Sequence, residues 1–193
     1  TEIILLCAFG MPLFDSLTLS FGTVGTGGFG ILNSSIADYS PALQIIITVF
    51  MILSGVNYVA YFYLTTKQIK EIFHVEEIRV YFGVILASSI FIAFNIRSLY
   101  PTLGECFRHA FFQVGSIITT TGYATTDFDL WPETSKTILV LLMFIGACAG
   151  STGGGLKISR LLILCKSIPK QLSLVIHPRE IKVIKMDGKA IEH

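Results

Sequence analysis

The chain has 193 residues, 52% of them hydrophobic and only 14% charged, with a formal net charge of +1. A soluble domain carries about 25% charged residues, so this composition excludes a soluble enzyme, and the near-zero net charge excludes the basic field that nucleic acid requires. Cys7, Cys106, Cys148 and Cys165 lack the grouping of a disulfide framework or zinc site, and only Cys106 is expected to face a solvent-accessible loop.

Residues 39–66, 80–96 and 137–156 contain no Asp, Glu, Lys or Arg. A helix needs about 20 apolar residues to cross a hydrocarbon core about 30 Å thick, so three such stretches predict an all-α polytopic membrane protein. The chain opens at Thr1 inside an apolar run, Ile3–Phe9, and is expected to begin partway through a longer protein. Of its 14 basic residues, 11 lie in the loop Lys67–Arg79 or from Lys157 onward, which the positive-inside rule assigns to the cytoplasm. Asp15, Asp38, Glu105, Asp127, Asp129 and Glu133 then fall outside.

The spans follow in order. Residues 41–66 run inward, 79–97 return outward, and 137–165 run inward again. Segments 16–37 and 109–126 begin apolar but end in Gly, Ser and Thr, with both ends on the outer side. Each is predicted to be re-entrant, because irregular backbone at membrane depth survives only when buried in protein or lining a cavity. Pro12 with Asp15, and the capping box Thr102-Leu103-Gly104-Glu105, suit the starts of the two re-entrant helices.

These segments repeat. Gly27-Gly28-Phe29-Gly30 aligns with Thr121-Gly122-Tyr123-Ala124 at an offset of 94, and after a three-residue gap Pro41 meets Pro132 and Gly55 meets Gly146. The unit is a span, a re-entrant helix and loop, and a second span, in parallel copies that can surround an axis normal to the membrane. The first loop is Thr23-Val24-Gly25-Thr26-Gly27-Gly28-Phe29-Gly30; the second runs through Thr119-Thr120-Thr121-Gly122-Tyr123-Ala124. A dehydrated cation needs a ring of oxygens, which backbone carbonyls supply without burying a full charge. Turning successive carbonyls to one axis demands backbone angles open mainly to glycine. The expected cation ligands are the carbonyls of Thr26, Gly27, Gly28, Thr120, Thr121 and Gly122, with the following aromatic anchoring each loop and the preceding helix dipole favouring a cation.

Gly25, Gly27 and Gly30 also fit the dinucleotide fingerprint, but a helical segment precedes them and the partner acid is missing. The last span is interrupted by Gly146-Ala147-Cys148-Ala149-Gly150-Ser151-Thr152-Gly153-Gly154-Gly155-Leu156-Lys157, whereas Val56–Leu64 of the first copy has no such run. The five glycines from Gly146 to Gly155 cannot all sit comfortably in one helix, at about 1 kcal/mol each relative to Ala. A phosphate loop fails because Leu156 stands where its Lys is required. The segment is expected either to gate a pore or to pack helices closely through small residues. Lys157 and Arg160 either act there or snorkel to the headgroups. Beyond Lys166 the chain turns basic, and residues 181–191 alternate about Asp187-Gly188 as a hairpin does. His74, His109, His177 and His193 are scattered and carry no metal or catalytic assignment.

TVGTGGFG, TTTGYATTDFDLWP and GACAGSTGGGLK resemble the TrkH branch of the Trk/Ktr/HKT potassium transporter superfamily. The resemblance implies a potassium-channel-like fold in which four repeats of helix, pore helix, filter loop and helix surround one pore. Residues 1–66 would be the second repeat with its first helix truncated, 67–78 a cytoplasmic connector, 79–165 the third repeat, and 166–193 the connector toward a missing fourth. It implies that Gly28 and Gly122 are filter glycines and that Gly146–Gly155 restrict ion passage. It further implies no enzyme activity, potassium as the transported ligand, a bacterial inner-membrane location among lipid, a homodimer, and a TrkA-like cytosolic nucleotide-binding regulatory subunit. TTTGYATTDF favours the Trk branch over a sodium-dependent Ktr-like system, while the coupling ion stays open between proton, sodium and none. The rival of another class is a non-conducting structural subunit.

Overall fold

The helices begin where the sequence supplies a start. Thr102 accepts the N–H of Glu105 at 3.2 Å, as its capping box requires, and Asn57 accepts that of Val59 at 2.9 Å. Pro41 occupies the first turn of its helix, and Pro12 and Pro132 immediately precede theirs. The computed structural model describes residues 1–176, 185–187, 189 and 190. In chain order the elements are α1 (Glu2–Ala8), α2 (Leu13–Val24), α3 (Pro41–Ser54), α4 (Tyr58–Thr65), α5 (Ile69–His74), α6 (Glu76–Asn95), α7 (Leu103–Ile118), a 3-10 turn (Phe128–Leu130), α8 (Glu133–Phe144), α9 (Ile158–Ile176) and a short pair, β1 (Lys185–Met186) with β2 (Lys189–Ala190).

The fold is helical, in line with its sequence pattern. Among the described residues α6 is long and apolar enough to cross a bilayer alone, and α3 with α4 passes the same test as a pair bent by 95°. Two apolar clusters hold the helices together. One joins α6, α7 and α8 through Tyr81, Ile85, Ile92, Val114, Ile118 and Leu139, and includes Ala147 and Cys148. The other joins α1, α2 and α3, and takes Phe112 and Tyr123 from the second copy. The second re-entrant segment is thus sealed into the core of the first.

Three expectations need correction. The 41–66 span is broken rather than continuous: α3 ends at Ser54 with Gly55 as its cap, and Asn57 caps the start of α4. The break is stable because its backbone finds partners in the Gly-rich segment, Cys148 N–H donating to Gly55 O at 3.0 Å and Tyr58 N–H to Gly150 O at 3.1 Å. Both copies are therefore interrupted, and the interruptions hydrogen-bond to each other. Second, α9 continues to Ile176, past the 165 limit read from hydropathy. Ile168 and Leu172, one turn apart, keep an apolar stripe where the average hydropathy falls, and Lys166 is ion-paired to Glu76. Third, Cys106 is fully buried on the first turns of α7, while Cys165 is the exposed cysteine.

The expected hairpin is seen in part, with Lys185 opposite Ala190 and Met186 opposite Lys189. Residues 181–184, Gly188 and Ile191 lie outside the described residues, as do His177 and His193.

Candidate functional site: two matched turns and the loop that joins them

Each re-entrant helix ends in the same turn. After α2, the N–H groups of Gly25, Thr26 and Gly27 donate to Phe21, Thr23 and Gly22 at 2.9, 3.2 and 2.8 Å. After α7, those of Thr119, Thr120 and Thr121 donate to Gly115, Ile117 and Ser116 at 3.1, 3.0 and 2.9 Å. Every donor and acceptor is displaced by the 94 residues of the sequence repeat. So is the backbone reversal: Thr26 and Gly28 have φ of 49° and 69°, Thr120 and Gly122 have 58° and 87°. An L residue with a side chain rarely adopts such angles, so two matched threonine–glycine pairs mark a conformation that both copies must hold.

The turns lie against each other. An added Cβ at Gly28 would stand 1.9 Å from the carbonyl oxygen of Thr121, whereas one at Gly122 would meet nothing within 4 Å. Among the described residues no donor engages the carbonyls of Thr26, Gly27, Gly28, Thr120, Thr121 or Gly122. Side chains stiffen the turns from behind. Thr23 Oγ1 donates to Leu19 O at 2.7 Å, Thr119 Oγ1 to Gly115 O at 2.7 Å, and Ser116 Oγ to Tyr123 O at 2.6 Å. Ser35 Oγ accepts the N–H of Ala124 at 3.1 Å, tying the second turn to the segment after the first.

The two aromatics differ. Tyr123 is buried, its hydroxyl 3.3 Å from both Leu19 O and Phe29 O, so it anchors the second turn on the first copy. Phe29, expected to anchor the first turn, is 81% exposed, and Val24 is exposed beside it. Tyr123→Phe is expected to lower stability by about 1 kcal/mol, read as a reduced melting temperature of the detergent-purified protein; an unchanged melting temperature would remove the anchor.

The Gly-rich segment, residues 145–157, is not helical and reaches both turns. Thr26 Oγ1 donates to Thr152 O at 3.1 Å, and Gly154 N–H donates to Thr120 Oγ1 at 2.7 Å. Its two limbs pair through Ile145 and Leu156, with Gly146 N–H donating to Leu156 O at 2.8 Å. Ser151 Oγ donates to Cys148 O at 2.6 Å, Thr152 Oγ1 to Ser54 O at 3.3 Å, and Lys157 Nζ to Gly153 O. Lys157 thus turns back into the loop rather than standing free for the headgroups. Gly150 and Gly155 hold φ of 69° and 70°.

One participant was not anticipated. Glu77, at the start of α6, is only 2% exposed, and its Oε1 accepts the N–H of Ala149 at 2.6 Å and of Ser159 at 3.0 Å. A helix N-terminus after a glycine-rich loop attracts anions; at α9 that position is filled by this carboxylate. The signal was the doubled Glu76-Glu77 at the edge of an apolar span, where adjacent helix positions cannot face the same way. A helix, not a strand, precedes Gly25, so the dinucleotide geometry is not met. Among the described residues no group of three or more His, Cys, Asp or Glu is placed to hold a metal ion.

The architecture is that of a helical membrane transporter. It superposes on the crystal structure of the potassium transporter TrkH from Vibrio parahaemolyticus with a TM-score of 0.89 at 31% identity, over 98% of this chain and 42% of that one. The TrkH family model, described as a cation transport protein, matches residues 8–193, and the chain belongs to the TrkH family. It is 36% identical over 186 residues to the Trk system potassium uptake protein TrkH of Salmonella typhimurium, and 33% identical over 186 residues to TrkG of Escherichia coli. Each alignment takes in 94% of this chain but 38% of the relative, so the chain spans well under half the length of these curated relatives.

Proposed function

We propose that this chain is the central part of a potassium uptake protein of the bacterial inner membrane. Residues 1–66 and 79–165 are two consecutive pore repeats, and the carbonyls of Thr26, Gly27, Gly28, Thr120, Thr121 and Gly122 take the place of water around a dehydrated ion. The observation that carries this reading is the matched pair of turns, three backbone bonds of each repeated at an offset of 94, whose carbonyls no donor among the described residues engages. Three carbonyl oxygens in each copy stay available, as a ring of ion ligands requires. The relatives named potassium uptake proteins support potassium as the cargo.

The segment from Gly146 to Gly155 restricts the path and so acts as gate. Its hydrogen bonds to Thr26 and Thr120 support this placement. The membrane potential supplies about 2.3 kcal/mol per charge per 100 mV, so inward movement of potassium requires no hydrolysis by this chain. A homodimer, with a TrkA-like nucleotide-binding subunit on the cytosolic side, completes the proposal.

The test is rubidium uptake in a bacterium lacking potassium uptake, carrying the full-length protein unchanged or with Gly122→Ser at matched membrane levels. The unchanged protein is expected to restore uptake, and the variant to lose preference for potassium over sodium. Identical transport by both would reduce Gly122 to a turn residue and remove the filter assignment.

A further inference from the structure

We propose that Glu77 is the latch of the Gly-rich loop, a positioning residue that holds the loop closed against both turns. This rests on the gating role proposed above for the Gly-rich loop. The loop leaves the core after Cys148 and rejoins it at α9, and Glu77 grips both points with one oxygen, through Ala149 N–H at 2.6 Å and Ser159 N–H at 3.0 Å. Between those two points lie Thr152 and Gly154, the residues that touch Thr26 and Thr120. The carboxylate therefore closes a ring of chain whose far side rests on the filter turns.

Its chemistry suits a latch better than a plain cap. Bonds from N–H groups to a charged acceptor are about twice as strong as neutral ones, and Glu77 is 2% exposed, so water competes little for them. The neighbouring residue faces outward instead: Glu76 pairs with Lys166 on α9, and its own N–H donates to Asp187 Oδ1 at 2.7 Å. Successive residues of one helix start thus hold the gate segment on one side and the following cytoplasmic chain on the other. Glu77 touches no transported ion in this account; it acts through the position of the loop.

The experiment uses the full-length protein in a cysteine-free background with Ser151→Cys as reporter on the loop. Glu77→Gln keeps the oxygen and removes the charge. It is expected to raise both rubidium uptake and the rate of Ser151→Cys modification by a thiol reagent about tenfold, with potassium-over-sodium preference unchanged. A cap with no gating role would lower the melting temperature and leave the modification rate where it was, which overturns the proposal. Gly146→Ala, which disturbs the loop directly, separates the two readings. If it raises uptake and Glu77→Gln does not, the latch is wrong and the gate stands; if neither does, the gate itself is wrong. Should Glu77→Gln fail to reach the membrane, Glu77→Asp decides, because it keeps the charge and shortens the reach by one methylene. A rise in uptake and modification supports the latch, and unchanged values overturn it.

Discussion

Gly28→Ala is expected to unseat both matched turns, and Gly122→Ala only to strain one. Both glycines hold a positive φ, 69° and 87°, where a side chain costs about 1–2 kcal/mol. At Gly122 the cost ends there, since an added methyl meets nothing within 4 Å. At Gly28 the methyl would sit 1.9 Å from Thr121 O, a backbone atom that moves only if the second turn moves with it. Overpacking of this kind adds about 1–3 kcal/mol. The Gly28 variant should therefore melt several degrees below the Gly122 variant and should lose rubidium uptake entirely. Equal melting temperatures would show that the two turns are not in register as described. The comparison is informative because the two glycines are equivalent in the repeat and differ only in what stands opposite them.

Gly146→Ala is expected to free the proposed gate. The Gly-rich segment folds back on itself, and a methyl at Gly146 would lie 2.0 Å from Gly154 O in the opposite limb. That limb carries the N–H that Thr120 Oγ1 accepts. Forcing the limbs apart at about 1–3 kcal/mol shifts the closed-to-open ratio by about 5- to 150-fold. Rubidium uptake at matched membrane levels should rise accordingly, with the preference for potassium over sodium retained, because neither of the proposed filter turns is altered. A fall in uptake with the protein intact would mean that the segment supports the path instead of restricting it.

The sequence was most legible where a residue type answers a backbone need. Thr102 and Glu105 announced the start of α7, and the glycine alignment placed two turns that agree donor by donor. It was least legible where a partner distant in the chain decides. The break after Gly55 has one glycine and one asparagine, ordinary within a span, and holds because Cys148 and Gly150 meet it from across the molecule. Glu77 sits in a stretch whose charges read as a solvated cytoplasmic loop, yet its carboxylate lies inside, 72 residues from the N–H of Ala149. Cys106 was expected to face a solvent-accessible loop, whereas the packing of α7 on the chain near Ile96 buries it. Hydropathy averages miss such cases because burial follows one face of a helix, not its mean composition.

The hydroxyls of Thr26 and Thr120 belong to two structures at once: each sits in one of the matched turns, and each holds one side of the Gly-rich segment. Shared groups of this kind turn two equilibria into one thermodynamic cycle. An ion bound by the neighbouring carbonyls that favours one arrangement of Thr120 also favours the arrangement of Gly154 bonded to it. By reciprocity, opening of the segment must then change affinity for that ion by the same factor that the ion changes the opening. Under the filter and gate proposed above, occupancy and conductance are not independent quantities, and external potassium concentration is expected to regulate how readily the path opens.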